Sequence, residues 1–441
     1  LFFTFLVVWL TRRNLQFTQD VGNAQPVLGG CASSEVRVGP IGGLGENLFP
    51  RNADILREMQ SSPGAKEASG GFRARPNDPF VRGLVEREAN ITLFLETRVI
   101  GAEVHDTRIR AVIVRDIRSS REVRLRGEFF ADCTGDAVLG ALAGADWRMG
   151  REGAGETGES LAPWAADRIL LGNTNLWSAI HTGEPSDFPD CPWALRITEE
   201  SREISTPKYP PKLSGQYAFI GGWNWESGFE ADPLRDIERI RDHNLRAIYG
   251  MWDFLKNRAS DKNRFADARL EWVAFITGKR ESRRLMGDWI LSEQDLTTPR
   301  LYEDGCVIAT WYFDAHFPHP QNTRFFPGEE FRSVAYDDPN FEQLRAGIRV
   351  PVRGRYTPIR PYPIPFRCLY SRNIANLFMA GRNISVTHVG LLPVRVMNTT
   401  AMMGTVIGRA ASVCVQTGVD PRALHSTQWG QLRQALENPG P

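Results

Sequence analysis

Two glycine turns, each closing an apolar run, are the residues here best placed to do chemistry. The first run is Phe129-Phe130-Ala131-Asp132-Cys133-Thr134-Gly135-Asp136; the second is Leu377-Phe378-Met379-Ala380-Gly381-Arg382-Asn383. Each reads as a buried strand ending in glycine. The second continues through a loop into a small-residue helix that reaches Ala411. Glycine lets a backbone approach a ligand closely, and a helix N-terminus offers unpaired N–H groups to an anion. The layout fits a strand-to-helix site that holds a nucleotide cofactor against the main chain. The two runs flank a long middle segment, which suggests one cofactor domain interrupted by an insertion.

The elements that must position these turns follow from pattern. Residues 25–45 form a glycine-rich loop, too glycine-dense for a helix or a central strand. Helices are predicted over 52–60 and 80–89. From Ile91 the texture turns to short alternating runs, predicting a small antiparallel sheet that feeds back into the core strand at 129–133. A helix is predicted over 136–145. The middle holds a charged helix candidate over 232–256, with Leu234, Ile237, Ile240, Leu245, Ile248 and Leu255 near helical spacing, and a second over 264–291. The proline-rich 356–365 must be extended and carries the chain back to the first domain. The apolar stretch from Leu1 to Leu10 is too short to span a bilayer. Arg12 and Arg13 follow it, the reverse of a signal peptide's order, so it reads as a truncated hydrophobic segment or a buried strand.

Composition narrows the classes. The 441 residues carry a net charge of +1, which argues against nucleic acid or an anionic membrane as partner and leaves a small-molecule substrate. Six cysteines are scattered without a C-x-x-C pair, so zinc and dithiol chemistry are not indicated. Cys133 and Cys414 read as small buried hydrophobes. The histidines lack ligand spacing, giving no metal set, and there is no G-x-S-x-G nucleophile motif. Most of the twelve tryptophans lie between Trp147 and Trp311. They suit either a pocket for flat or sugar-like ligands or plain core filling.

Six runs in a fixed order point further: PVLGGCASSEVRV at 26–38, FFADCTGDAVLGALAGADWRMGRE at 129–152, GESLAP at 158–163, GKRESRRLMGDWIL at 278–291, PIPFRCLYSRNIANLFMAGRNISVTH at 363–388 and VRVMNTTAMMGTVIGRAA at 394–411. Together they resemble the FAD-dependent oxidoreductases of the two-dinucleotide-binding-fold (glutathione-reductase-like) superfamily, in a bacterial branch at times tagged xanthan-lyase-like. The resemblance implies an α/β fold. A Rossmann-like FAD/NAD(P)-binding domain carries a small antiparallel insertion and is joined to a mixed α+β substrate domain. The divisions would be 1–155 and 341–441 for the FAD-binding domain and 156–340 for the substrate or cap domain. It also implies FAD as cofactor and hydride transfer between flavin and a small polar substrate: a polyol, a sugar or a hydroxy acid.

One departure bears on this reading. Such proteins open with a strand and a G-x-G-x-x-G turn, and none precedes Pro26. Glycines 39, 42, 43 and 45 come too late. Residues 14–20 would be the second strand, with Asp20 near the ribose, and the first strand and helix read as missing or replaced. The rival reading is a non-catalytic scaffold that does not hold FAD.

The resemblance assigns roles residue by residue. Thr134, Gly135 and Asp136 would meet the adenosine-pyrophosphate end, although Asp136 also reads as an ordinary helix cap. Gly381, Arg382 and Asn383 would meet the ribityl phosphate, with Arg382 where an acidic residue is usual. Val396 and Met397 would start a helix aimed at the flavin pyrimidine edge, whose partial positive charge favours the anionic reduced flavin. That helix otherwise reads as a buried one packed closely through Gly404 and Gly408. Gly29, Gly30, Ser33, Ser34, Glu35 and Arg37 would pass beside the isoalloxazine, or form a solvated loop. His388 would accept a substrate proton, or be a core histidine; Arg395 would bind a carboxylate or the flavin O2 region. The charges of GKRESRR form a solvated or salt-bridged helix face, with one arginine entering the pocket. His316 and His319 are further pocket candidates.

Overall fold

In the computed structural model the described residues are 5–11, 17–22, 26–43, 48–61, 77–205, 217–221, 225–298, 302–316, 326–327 and 361–438. A five-stranded sheet organises both glycine turns. Its strands are β1 (Phe5–Thr11), β2 (Phe17–Gly22), β3 (Ile91–Phe94), β4 (Phe129–Cys133) and β5 (Leu377–Met379), in the order β5-β4-β1-β2-β3. β5 runs parallel to β4, and β2 parallel to β3. β1 is antiparallel to both its neighbours, so the sheet is mixed. Within the apolar N-terminal stretch Phe5–Thr11 is a strand, and residues 1–4 lie outside the described ones. β2 covers the later part of the predicted 14–20 strand.

β4 and β5 are buried at every residue, as strands covered on both faces must be. The predicted antiparallel sheet is present as Thr97–His105, Arg108–Asp116 and Glu122–Arg126. The predicted helix at 80–89 is Asp78–Glu86, capped by Asn77 Oδ1 accepting from the Phe80 N–H at 3.0 Å. The one at 52–60 is a 3₁₀ turn, Pro50–Ala53, followed by Asp54–Gln60.

Four helices matter below: α1 (Val138–Leu142), α2 (Ile237–Asp253), α3 (His388–Val394) and α4 (Met397–Thr417). α1 is shorter than the predicted 136–145, because Ala137 and Gly144 both take positive φ. α2 falls within the predicted 232–256 and continues into a π turn at Phe254–Arg258.

The helix predicted over 264–291 does not form. Ala268–Val273 is a strand paired with Trp177–His181, and Arg284–Leu285 is a short strand paired with Trp147–Arg148. The segment ARLEWV offers an alternating face, and cross-strand pairing overrides its helical spacing. Tyr362–Pro365 is extended and pairs with Gly305–Ala309; residues 356–360 of the predicted stretch lie outside the described residues.

Two hydrophobic clusters result. The larger draws on both ends of the chain, from Leu28 to Leu436, around β4, β5 and α4. The smaller packs Trp177, Trp225, Trp252, Phe254 and Phe265 around α2. These tryptophans fill core. Cys133 and Cys414 are buried, and burial pushes both thiols up to about 12. Among the described residues no helix is long and apolar enough to cross a membrane, and no group of three ligating side chains could hold a metal.

Candidate functional site

The two glycine turns are stitched together by Asp132, at the buried end of β4. Its Oδ1 accepts from the Thr134 N–H (3.0 Å) and hydroxyl (2.7 Å), and its Oδ2 from the Gly140 N–H (2.8 Å). Asn383 Nδ2 donates to the Asp132 carbonyl at 3.0 Å. Complete burial raises the Asp132 pKa despite these bonds. Thr134 Oγ1 accepts from the Val138 N–H at the start of α1, whose N-cap position is Ala137. Asp136 is therefore not the helix cap.

Asp136 instead accepts from Lys279, from Arg382 Nη2 at 2.6 Å and from Ser282 Oγ at 2.8 Å. Burial would raise its pKa; Lys279 and Arg382 outweigh that and hold it below the usual range. Gly135 sits at φ +72°, and a Cβ there would lie 2.5 Å from Arg382 Nη1. Two cations thus share one carboxylate over a glycine turn, a net positive spot suited to a phosphate. Gly381 takes φ +119°, also left-handed.

The loop at 26–43 reaches the start of α4. Gly29 and Gly30 have positive φ, and Ser33 Oγ donates to the Gly30 carbonyl at 2.6 Å. The Ser34 N–H donates to Asp78 at 3.2 Å, and Arg37 stacks 4.2 Å over Trp272. These groups hold the loop itself, and it is not solvated: Ser33 is buried. Burial first, then Asp78, raises the Glu35 pKa. Further on, the Asn398 N–H donates to the Ile41 carbonyl at 3.1 Å and Asn398 Nδ2 to the Gly42 carbonyl at 2.7 Å. A Cβ on Gly42 would stand 3.1 Å from Val396. Val396 is the N-cap of α4, supplies no side-chain cap, and the first turn has no acid. Met397 opens the helix and is buried. Thr399 in that turn is fully buried, and its hydroxyl has no partner among the described residues.

Two arginine–glutamate–histidine chains leave the run 278–285. In the first, Arg284 donates to Glu281 and, at 2.7 Å, to Glu152; His388 Nδ1 meets Glu281 at 3.0 Å, and the His388 N–H donates to Glu152 at 2.8 Å. Burial would raise the Glu281 pKa, but His388 and Arg284 bring it below normal. In the second, Arg280 Nη2 lies 2.7 Å from Glu226, whose Oε1 meets His316 Nδ1 at 2.8 Å. His316 Nε2 meets Asp314 Oδ1 at 3.1 Å, and Asp314 Oδ2 accepts from Arg395 Nη2 at 3.0 Å. Asp314 is pushed up by burial and pulled further down by Arg395 and His316.

These contacts correct the reading of GKRESRR as a helix face. Arg280, Glu281, Ser282 and Arg284 are buried, and no helix forms there. His388 is 2% exposed and enclosed by charged groups, so it lines no open surface. Nor are His388 and Arg395 brought together: they head and cap opposite ends of α3. Of the other two pocket candidates, His316 joins the second chain, and His319 lies outside the described residues. The sequence does not single out Glu226 and Asp314; Lys279 and Glu281 stand out only as charges of the GKRESRR run, and Asp132 only as the start of the Asp132–Asp136 motif. Glu226 gives no signal, since its partners Arg280 and His316 are far away in the chain; Asp314 lies two residues before its partner His316, but nothing in the sequence shows that Arg395 joins it.

From residue 23 to residue 436 the sequence matches a single family, described as FAD dependent oxidoreductase. The chain belongs to that family. No curated protein matches the sequence. Among solved structures it is similar to pyridoxine 4-oxidase from Mesorbium loti, at 12% identity over 77% of this chain and 62% of that one, TM-score 0.24. It is also similar to a point mutant of E. coli quinol fumarate reductase FrdA, at 13% identity over 88% and 60%, TM-score 0.25. The flavin-dependent monooxygenase PieE, in complex with FAD and substrate, is similar at 13% identity over 28% and 20%, TM-score 0.18. Scores this low carry no argument about the site. The chain spans between 20% and 62% of the length of these proteins.

The residues present in this member of the family fit the family's cofactor at two places. At the junction of the glycine loop with α4 the helix N-terminus has no side-chain cap, the Asn398 N–H is taken by the Ile41 carbonyl, and the buried Thr399 hydroxyl is orphaned among the described residues. The Gly135 turn has paired cations, and the Arg382 guanidinium lies directly over the glycine, where it can meet a phosphate. At the sheet's first strand the fit is absent: β1 is antiparallel to its neighbours, and no glycine turn follows it.

Proposed function

We propose that this chain is an FAD-dependent oxidoreductase acting on a small polar organic substrate. The observation that carries this is the closure of the glycine loop on the N-terminus of α4, which has no side-chain cap, beside Arg395. In this reading residues 1–155 and 341–441 form the cofactor part, and 156–340 the substrate part. Gly29, Gly30 and Gly42 let the main chain lie close to the flavin ring. Ser33, Ser34 and Arg37 fix the loop's shape, and Glu35 lies along it. The first turn of α4, from Val396 and Met397 to Thr399, presents N–H groups and a hydroxyl to the ring's pyrimidine edge. Thr134, Gly135, Asp136, Gly381, Arg382 and Asn383 hold the phosphates, with Lys279. When bound, FAD supplies the two-electron acceptor for a C–H bond next to oxygen. Arg395 binds the substrate's polar end. His388, fixed between Glu281 and Glu152, positions the start of α3. Of the polyol, sugar and hydroxy acid classes, the pair Arg280 and Arg395 favours a hydroxy acid.

The test is the visible spectrum of the purified chain after incubation with FAD and gel filtration, followed by anaerobic addition of hydroxy acids. Retained flavin bands that bleach with one of them are the expected result. A protein that stays colourless overturns the reading in favour of a non-catalytic scaffold, for which the antiparallel β1 speaks.

A further inference from the structure

The glycine loop is held differently along its length. Toward α4 the hold is hydrogen bonding. The Asn398 N–H donates to the Ile41 carbonyl at 3.1 Å, Asn398 Nδ2 to the Gly42 carbonyl at 2.7 Å, and the Gly43 N–H to Thr310 Oγ1 at 2.7 Å. The turn at 31–38 is closed on itself. In it the Arg37 N–H donates to the Ser33 carbonyl and the Val38 N–H to the Cys31 carbonyl, each at 2.9 Å. This turn meets the middle segment through two side chains. The Arg37 guanidinium stacks 4.2 Å over the Trp272 ring. Val36, 2% exposed, seats on the bare backbone of Gly278, where a Cβ would stand 3.0 Å from its Cγ1. The seat itself is fixed. Trp272 lies opposite Ser178 in the pairing of Ala268–Val273 with Trp177–His181. The Gly278 N–H donates to the Thr174 carbonyl at 2.9 Å, and the Thr174 N–H donates back at 3.2 Å.

Arg37 takes φ +59°, a left-handed backbone that favours glycine and in which an arginine has to be held. Strain of this kind marks ligand clamps and switch segments. Its cost and the gain from an arginine–indole stack are of the same order and opposite sign. The stack therefore offsets the strain, and the burial of Val36 is what remains to keep the turn seated. Removing the stack leaves the strain opposed by Val36 alone.

We propose that the turn at 31–38 is a latch between the cofactor and substrate parts, whose release at Arg37 and Trp272 admits and frees the flavin ring while the loop stays hinged at Asn398. This rests on the flavoprotein reading above and adds how that site opens. In that reading Gly29, Gly30 and Gly42 lie against the ring, and the latch lies between them in the chain. Lifting it uncovers the ring and leaves the start of α4 in place. Arg37 and Trp272 are positioning residues here, acting on the flavin through the loop.

The experiment uses the full chain. Hydrogen exchange is read by mass spectrometry without added FAD. Relaxing Arg37 out of the left-handed region turns the next peptide and breaks the Val38 N–H bond, so the Val38 amide reports the latch; the Asn398 amide reports the hinge. Protection at Val38 is expected to fall about fivefold in Arg37→Gln and in Trp272→Leu, the scale of a half-buried arginine–indole stack. Protection at Asn398 stays at the wild-type value. Arg37→Gly loses stack and strain together, so it falls less than Arg37→Gln. Stopped-flow fluorescence then follows FAD itself. In Arg37→Gln association and dissociation both quicken about fivefold, leaving Kd nearly unchanged, because a latch governs entry and exit alike. A contact that merely grips the bound flavin would quicken dissociation alone. Unchanged Val38 protection in both stack variants, loss of Asn398 protection with it, Arg37→Gly no better protected than Arg37→Gln, or unchanged association overturns the proposal. Failure of the wild type to take up FAD sinks the flavoprotein reading instead, and the two amides still decide whether the turn is a latch.

Discussion

Asp136 shows how a single residue serves both fold and site. Its carboxylate joins β4, the 278–285 segment and the turn after β5 through Lys279, Ser282 and Arg382. Asp136→Asn leaves two cations facing a neutral amide in a largely buried place. Breaking such a pair costs about 3 kcal/mol. The pH dependence has a definite sign. Burial opposes the charge, but Lys279 and Arg382 prevail and the folded pKa is depressed. The stabilisation is thus complete above the unfolded value of about 3.9 and is lost as pH falls toward the folded one. Melting curves of wild type and Asp136→Asn therefore differ most near neutrality and converge as pH falls from the unfolded value of about 3.9 toward the depressed folded one. Equal melting temperatures at neutral pH would show the cluster to be idle. The turn itself was legible, because glycine after an apolar run has few other uses. The cluster was not: Lys279 lies far from Asp136 in the chain, and its run resembles a solvated charged face.

At the scale of elements, glycines in neighbouring helices have opposite meanings. A Cβ on Gly390 in α3 would collide with the Leu291 main-chain carbonyl and crowd Thr387 Oγ1 at 3.1 Å. Backbone cannot yield cheaply, so Gly390→Ala is expected to destabilise by about 2 kcal/mol, on the scale of an overpacked core. Gly408 in α4 has nothing within 4 Å of the place a Cβ would take, so the expectation of close packing through it does not hold. Gly408→Ala is expected to stabilise by roughly 0.5–1 kcal/mol through helix propensity. Urea unfolding of both variants checks the pair; a stabilised Gly390→Ala would contradict the packing of α3 on the 291 segment. Apolar periodicity revealed β4, β5, α2 and α4 because each buries one continuous set of residues. It misjudged 264–291, where the partner strand Trp177–His181 decides the conformation and lies far upstream.

For the whole molecule, the main sheet is closed by strands from the two ends of the chain. β4 pairs with β5 through Phe130, Ala131 and Asp132 opposite Leu377, Phe378 and Met379. α4 adds Ala401, Met402, Met403, Val406 and Ile407 to the same cluster, all 2% exposed or less. Ending the chain at residue 360 removes all of these and bares Phe129 and Phe130. Each large side chain re-exposed forfeits about 1.5–3 kcal/mol, so a few of them exceed the net stability of an ordinary domain. The smaller cluster has its own residues, from Trp177 to Phe326, and loses none of them to the cut. The shortened chain is therefore expected to lose its main cooperative unfolding transition while the edge-to-face pair Trp177–Trp252 keeps a near-ultraviolet circular dichroism signal. Loss of both signals together would mean that the middle cluster depends on the sheet. Retention of both would mean that β4 is held without β5, against the pairing that brings the two glycine turns into one site.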